Sequence, residues 1–286
     1  MARVDEIPMS SLCGKGVVSP RQPYSIFEKI VVLSPMVYFL TRPYLSPSEK
    51  SFAVDRAPPD AAIWNTTKTF SRQFRTFLWK ALHKSQKIGE YWMNITNYEH
   101  CSQCSKCRVT EDLEHIILKC EIPGRAKIWE ITKSLWLKKH NQWPELNNIG
   151  NITGCGFAEF KNEQKKPIPG TDRLYQILIS EATHFIWKLR NEHIFRLNSE
   201  GDWPSENEVH NRWLAIINTR LTLDRSATHH RFDRRAIKPS TVLDTWAKTL
   251  KNENSLPKNW ITSPGVLVDV AQSEQNGGLA IMTDPL

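Results

Sequence analysis

The sequence predicts a mainly α fold: a small Cys-Cys-His-Cys knuckle between helices, a helical C-terminal unit behind it, and disordered termini. Three observations predict it. Apolar residues recur at helical spacing in several stretches between Lys68 and Leu250. Three cysteines and a histidine crowd into CSKCRVTEDLEHIILKC, Cys104 to Cys120. Prolines at 8, 20, 23, 35, 43, 47, 58 and 59 bar long helices from the start of the chain. Composition then divides the chain into an irregular or disordered leader (1–60), a helical cysteine-rich unit (61–140), a linker (141–170), a C-terminal helical unit (171–250) and an irregular tail (251–286).

The elements follow in order. The leader is expected to hold at most one short strand or helix, at Ile26 to Leu40. From Lys68 to His83 the spacing predicts an amphipathic helix, with Phe70, Phe74, Phe77, Leu78 and Leu82 on one face. Gly89 marks a break, and Tyr91-Trp92 follow it. Within the cysteine stretch, Thr110 is the expected helix cap, and Glu111, Asp112 and Glu114 suit the positive end of that helix. Leu113, Ile116 and Ile117 share a face with Cys120, which gives the knuckle an apolar floor. Pro123-Gly124 closes the stretch. Arg125 to Lys139 reads as a helix with Ile128, Ile131 and Leu135 inward, and the Asn-, Pro- and Gly-rich residues after it read as a polar linker. Thr171 to Asn198 is a long helical pattern through Leu174, Ile177, Leu178, Ala182, Phe185 and Leu189. Ser205 and Glu208 form a capping-box pair ahead of Val209, Trp213, Ile216 and Ile217. A last short helix is expected from Ser240 to Leu250. The chain shows no internal repeat and no sustained heptads.

Hydrophobic residues make up 40% and charged residues 24%, an ordinary globular balance. The eleven tryptophans are expected in the core sooner than stacked on bases. A net charge of +8 favours an acidic partner such as RNA or DNA. The charge is uneven: from Lys68 to Gly89 stand Lys68, Arg72, Arg75, Lys80, Lys84 and Lys87 with no acid among them. Arg225, Arg231, Arg234, Arg235 and Lys238 form a second cluster against Asp233 alone. A solvated face explains either cluster about as well as a phosphate-binding surface does. The apolar run Ile30 to Leu40 is too short for a membrane span and is broken by Ser34-Pro35. No secretory signal is visible and the cysteines suit a reducing compartment, so an intracellular protein is expected, nuclear or cytoplasmic.

Written out, the knuckle is C-x2-C-x7-H-x4-C, a ligand set that fits tetrahedral zinc. The C-x2-C pair lets two sulfurs reach one ion from a tight turn. His115 and Cys120 must return to the same ion, yet residues five apart on an ideal α-helix point about 140° from one another. The helix must therefore end, tighten or widen between them. Cys101 or His100 offers a substitute for one ligand. Cys101, Cys104 and Cys107 also make a C-x2-C-x2-C run, but the fourth cysteine an iron–sulfur cluster needs is missing at its usual distance. A set of inert buried thiols is the plain alternative.

The order of segments around this motif carries a resemblance. Phe77-Leu78-Trp79-Lys80 with His83 and Gly89 precede the ligands, Ile128-Trp129 follow them, and Ile186-Trp187-Lys188-Leu189-Arg190-Asn191 with Phe195 comes later. Together they resemble the zinc-binding domain near the C-terminus of reverse transcriptase polyproteins of LINE-like retrotransposons. With Tyr91-Trp92 and the capping-box helix at Ser205, the combination looks most like the version in fungal retroelement-derived proteins, where it follows a ribonuclease H domain. The resemblance covers about Ala61 to Val268. It implies zinc held by Cys104, Cys107, His115 and Cys120, a mostly helical fold around the knuckle, and nucleic-acid binding. It does not extend to polymerase or nuclease chemistry. No Asp-Asp pair exists for a two-metal polymerase site, and the carboxylates before Ala61 are too few for a ribonuclease H domain.

The expectation is thus a non-catalytic binding module that contacts RNA or DNA through Lys68, Arg72, Arg75, Lys80, Lys84 and Lys87. The alternative is a zinc-stapled structural or interaction domain, with the rest of a retroelement polyprotein as its partner or as a relic without activity. An enzyme is the third and least favoured class, since four protein ligands close a zinc site.

Overall fold

The computed structural model describes residues 69–195 and 203–270. Lys68, the Ile26–Leu40 stretch, the end of the long helix at Asn198 and the chain beyond Val270 lie outside the described residues. The architecture is mainly helical, and among the described residues no β-strand forms. Pairing is confined to isolated antiparallel bridges at Gln103–Thr110, Lys161–Pro167 and Leu250–Val268.

Helix α1 (Arg72–Leu82) starts where the Ser71 hydroxyl accepts the Phe74 N–H, which is why it begins later than periodicity alone suggests. Phe74, Phe77 and Leu78 are its buried face. A short α2 (Glu90–Met93) and a 3-10 turn (Glu99–Ser102) lead into the cysteine stretch, which ends in a π-helix (His115–Lys119). Then come α3 (Arg125–Leu137), α4 (Ile149–Thr153), α5 (Pro169–Phe195), α6 (Glu206–Ser226) and α7 (Pro239–Trp246). Short 3-10 turns join and follow them. No helix among the described residues is long and apolar enough to cross a membrane.

Helix α5 is the axis of the molecule. Its 27 residues would span roughly 40 Å at helical rise. It packs against α1, α3, α4, α6, α7 and the π-helix. Being covered on several sides, it buries a nearly continuous run, Leu174 to Ile179, then Ala182, Phe185, Ile186 and Leu189. Gly170 lets its first turn approach α7, since a Cβ there would stand 2.6 Å from the Asp244 carbonyl oxygen.

One hydrophobic cluster runs from Phe70 to Val268. The 141–170 stretch, which composition suggests is a linker, holds α4 and places Ile152, Cys155, Ala158 and Phe160 in that cluster. Asn148 caps α4 with a reciprocal box to Asn151, so the asparagines serve as helix caps there. The irregular 251–270 stretch likewise contributes Trp260, Ile261, Val266 and Val268. Trp136, Trp213 and Trp246 are fully buried, as the packing reading of the tryptophans expects.

Two local expectations change. Helix α7 stops at Trp246, because Ala247 is extended and Leu250 pairs with Val268 in place of a further helical turn. At α6 the Ser205 hydroxyl accepts the Glu208 N–H, but the Glu208 carboxylate pairs with Arg212. A buried polar knot ties α5, α6 and α7. Arg173 makes a two-pronged pair with Asp224 at 2.6 and 2.7 Å, and Thr245 and Trp246 add hydrogen bonds to the same groups.

Candidate metal centre

The cysteine loop closes on itself through its backbone. The Cys104 N–H donates to Val109 O and the Arg108 N–H donates to Cys104 O, with Arg108 turned to positive φ. This fold-back sets Cys104 and Cys107 side by side, with the Cys107 N–H 3.4 Å from the Cys104 sulfur. Asp112 caps the helix that follows, its Oδ1 accepting the His115 N–H at 2.6 Å. The expected cap, Thr110, is taken up by the bridge to Gln103.

Between His115 and Cys120 the helix widens. The Cys120 N–H donates to His115 O, five residues back, in place of the usual four. The spacing required such an adjustment, and the π-turn supplies it. The wide turn leaves carbonyls for neighbours to cap. Trp129 Nε1 donates to Ile117 O at 2.9 Å, and Arg125 donates to Leu118 O at 2.6 Å and to Cys120 O. Lys119 reaches back across the same turn to Glu114 at 2.6 Å.

The result gathers four donors. The sulfurs of Cys104, Cys107 and Cys120 and a ring nitrogen of His115 all lie within 4.8 Å of one another, so the group could hold a metal ion. The Cys120 sulfur is 3.5 Å from that of Cys104 and 3.8 Å from that of Cys107, far beyond a disulfide bond. His115 Nε2 is buried with no hydrogen-bond partner, an orphaned polar atom of the kind a ligating nitrogen would be. Burial and the neighbouring thiols push the Cys120 thiol up from its ordinary value, while the Ile122 N–H pulls the other way. Three thiols gain little from such crowding; a cation that displaces their protons gives it a reason.

Cys101 and His100 face each other, Sγ to Nε2 at 3.4 Å, and are not members of the four-ligand group. Cys155 is fully buried in the main core, and burial pushes its thiol up, the state of an inert packing cysteine.

Two contacts around the centre had no local signal in the sequence. Trp203 packs on the Cys104–Cys120–Ile122 cluster and stacks on His193 at 3.9 Å. Glu111, beside the ligands, forms a buried ion pair with Arg190 of α5. The apolar floor has Ile116 and Ile117, both fully buried.

Comparison of the chain with family models, with curated proteins and with solved structures finds no match.

Of the cations on and after α1, Arg72, Lys80, Lys84 and Lys87 are exposed, Arg75 is half-buried, and Lys68 is outside the described residues. None of the five described ones is in an ion pair among the described residues. The second basic cluster splits. Arg225 is spent on structure, donating to Ile261 O and Ser263 O, whereas Arg231, Arg234, Arg235 and Lys238 are exposed.

Proposed function

We propose that the chain is a non-catalytic zinc-binding module of retrotransposon origin that binds RNA or DNA. The observation that carries the metal is sulfur spacing. Zinc–sulfur bonds of about 2.3 Å in a tetrahedron set the sulfurs about 3.8 Å apart. The two sulfur contacts at Cys120 measure 3.5 and 3.8 Å. When bound, zinc would be held by Cys104, Cys107, His115 and Cys120, and it would supply a cross-link between the cysteine loop and the π-turn. Three thiolates around a divalent ion leave one net negative charge. Arg125, held against the Cys120 carbonyl, is placed to offset it. Four side-chain ligands leave no open position, which supports a structural and not a catalytic zinc.

Nucleic-acid binding rests on the exposed cations Arg72, Lys80, Lys84 and Lys87, which form no ion pair among the described residues, and on the net charge of +8. The test is elemental analysis for zinc with fluorescence anisotropy on labelled RNA and DNA across a salt series, on one preparation. One zinc per chain is expected, with affinity falling steeply as salt rises. Replacing a contacting cation by alanine lowers the log–log salt slope by about 0.7 to 0.9. Affinity that stays flat with salt, or that ignores Arg72→Ala with Lys80→Ala, would remove the nucleic-acid reading.

A further inference from the structure

The segment between α1 and the cysteine loop exposes aromatic rings that the core could have absorbed. Tyr91 is 41% exposed and Tyr98 is 44% exposed, and His100 is exposed beside them. The rings form a chain. Tyr91 meets Trp92 edge-on at 5.1 Å, Trp92 lies 6.0 Å from Tyr98, and Tyr98 lies 6.4 Å from His100 with their planes only 18° apart. Trp92 is the fixed member, half-buried with its indole N–H on Lys87 O at 2.8 Å. Lys87 also holds its ammonium over the Tyr91 ring, 5.6 Å from the centroid. A cation therefore stands at one end of the ring chain, and the exposed Lys84 and Lys80 lie upstream of it in sequence.

The segment is also held in place. Gly89 adopts φ +47 and presses so close to the Glu111 carbonyl that a Cβ would stand 2.0 Å from it. At its other end the Cys101 N–H donates to Tyr98 O, and Ser102 O accepts the Glu111 N–H. The rings are thus fastened at both ends to the knuckle. Exposed rings fixed in place, with cations at their edge, match the chemistry of a strand with unpaired bases: rings stack on bases, cations meet phosphates. The segment also carries two acids, Glu90 and Glu99.

We infer that Tyr91, Tyr98 and His100, backed by Trp92, form a stacking platform for unpaired bases, so that the nucleic acid bound is single-stranded. This deepens the nucleic-acid reading above and rests on it. A base paired inside a duplex shows its edges to a groove and hides its faces, so the platform has nothing to offer double helices.

The experiment uses the full zinc-loaded chain and labelled single-stranded RNA, single-stranded DNA of the same sequence, and the corresponding duplex. The single strands are expected to bind more tightly than the duplex. Tyr91→Ala and Tyr98→Ala are each expected to weaken single-strand binding about tenfold and to leave the salt slope in place. Tyr98→Phe keeps the ring and is expected to keep the affinity. Ultraviolet cross-linking of the unaltered protein to each single strand, mapped by mass spectrometry, is expected to fall between residues 91 and 100 and needs no variant to fold. Tight binding of RNA alone or of DNA alone assigns the strand, and either supports the platform. Equal single-strand and duplex affinity, or cross-links confined elsewhere, overturns the platform while salt-dependent binding keeps the nucleic-acid reading. No binding to any of the three removes both.

Discussion

The carboxylate of Glu111 and the guanidinium of Arg190 join the cysteine stretch to the middle of the molecule, across 79 residues of sequence. Both side chains are under a tenth exposed, at 6% and 9%. Breaking one partner leaves the other charge buried and alone. Arg190→Met is expected to cost about 3 to 5 kcal/mol, and Glu111→Leu with Arg190→Met together much less than the sum. Chemical denaturation of the three variants checks it, and additive costs would show that the pair is not coupled.

Removing the metal should act on the same region. Cys107→Ser is expected to lose bound metal and stability together, by several kcal/mol, because an ion held by the four residues would link the loop to the π-turn. A chelator should reproduce the loss in the unaltered chain. Metal content and melting temperature, measured on the same samples, decide it. A variant that keeps its metal and its melting point would show that Cys107 is no ligand.

Gly89 gives a sharper steric test. Its φ is +47 and an added Cβ would meet backbone at 2.0 Å, with no flexible side chain to move aside. Gly89→Ala is expected to cost at least about 2 kcal/mol. A neutral substitution, read by thermal melting, would mean that the Gly89–Glu111 contact is not kept in solution.

Asp172 should make stability fall as pH rises. Burial pushes its carboxyl up from 3.8 to about 6, against the pull of the Phe160 N–H it accepts at 2.6 Å. The folded chain therefore binds this proton more tightly than the unfolded chain. Its contribution is complete below the unfolded value and is lost as pH rises through about 6. Asp172→Asn keeps the acceptor oxygen and removes the charge. With the site half open to solvent, the gain at neutral pH is about 1 kcal/mol after screening. Melting curves from acid to neutral pH should be flatter for the variant, and parallel curves would rule the effect out.

How much of this was legible in the sequence depends on range. The helices around Phe74, Ile128, Leu178 and Trp213 follow from apolar periodicity, which is local. The knuckle residues follow from spacing, and the need for an altered turn between His115 and Cys120 follows from helix geometry. What spacing does not carry is partnership over distance. Nothing local to Glu111 points to Arg190, and nothing local to Trp203 points to the cysteines. The 141–170 stretch read as polar because its asparagines and glycines dominate the composition. Yet Asn148 and Asn151 form the cap of α4, and the few apolar residues that follow, Ile152, Cys155, Ala158 and Phe160, are the ones buried. Thr110 stands opposite Gln103 in the fold-back, still short of the helix start, and Asp112 supplies the cap.

Trp203 sets how the molecule can be taken apart. It lies far beyond the last cysteine of the knuckle, yet it packs on the cluster of Cys104, Cys120 and Ile122. The knuckle is accordingly no portable cassette. A shuffling event that lifted residues 100–125 into another protein would leave behind the aromatic roof and the Arg190 counter-charge. The ligands would travel, but their shelter from water would not, and the ion would be held more loosely in its new home.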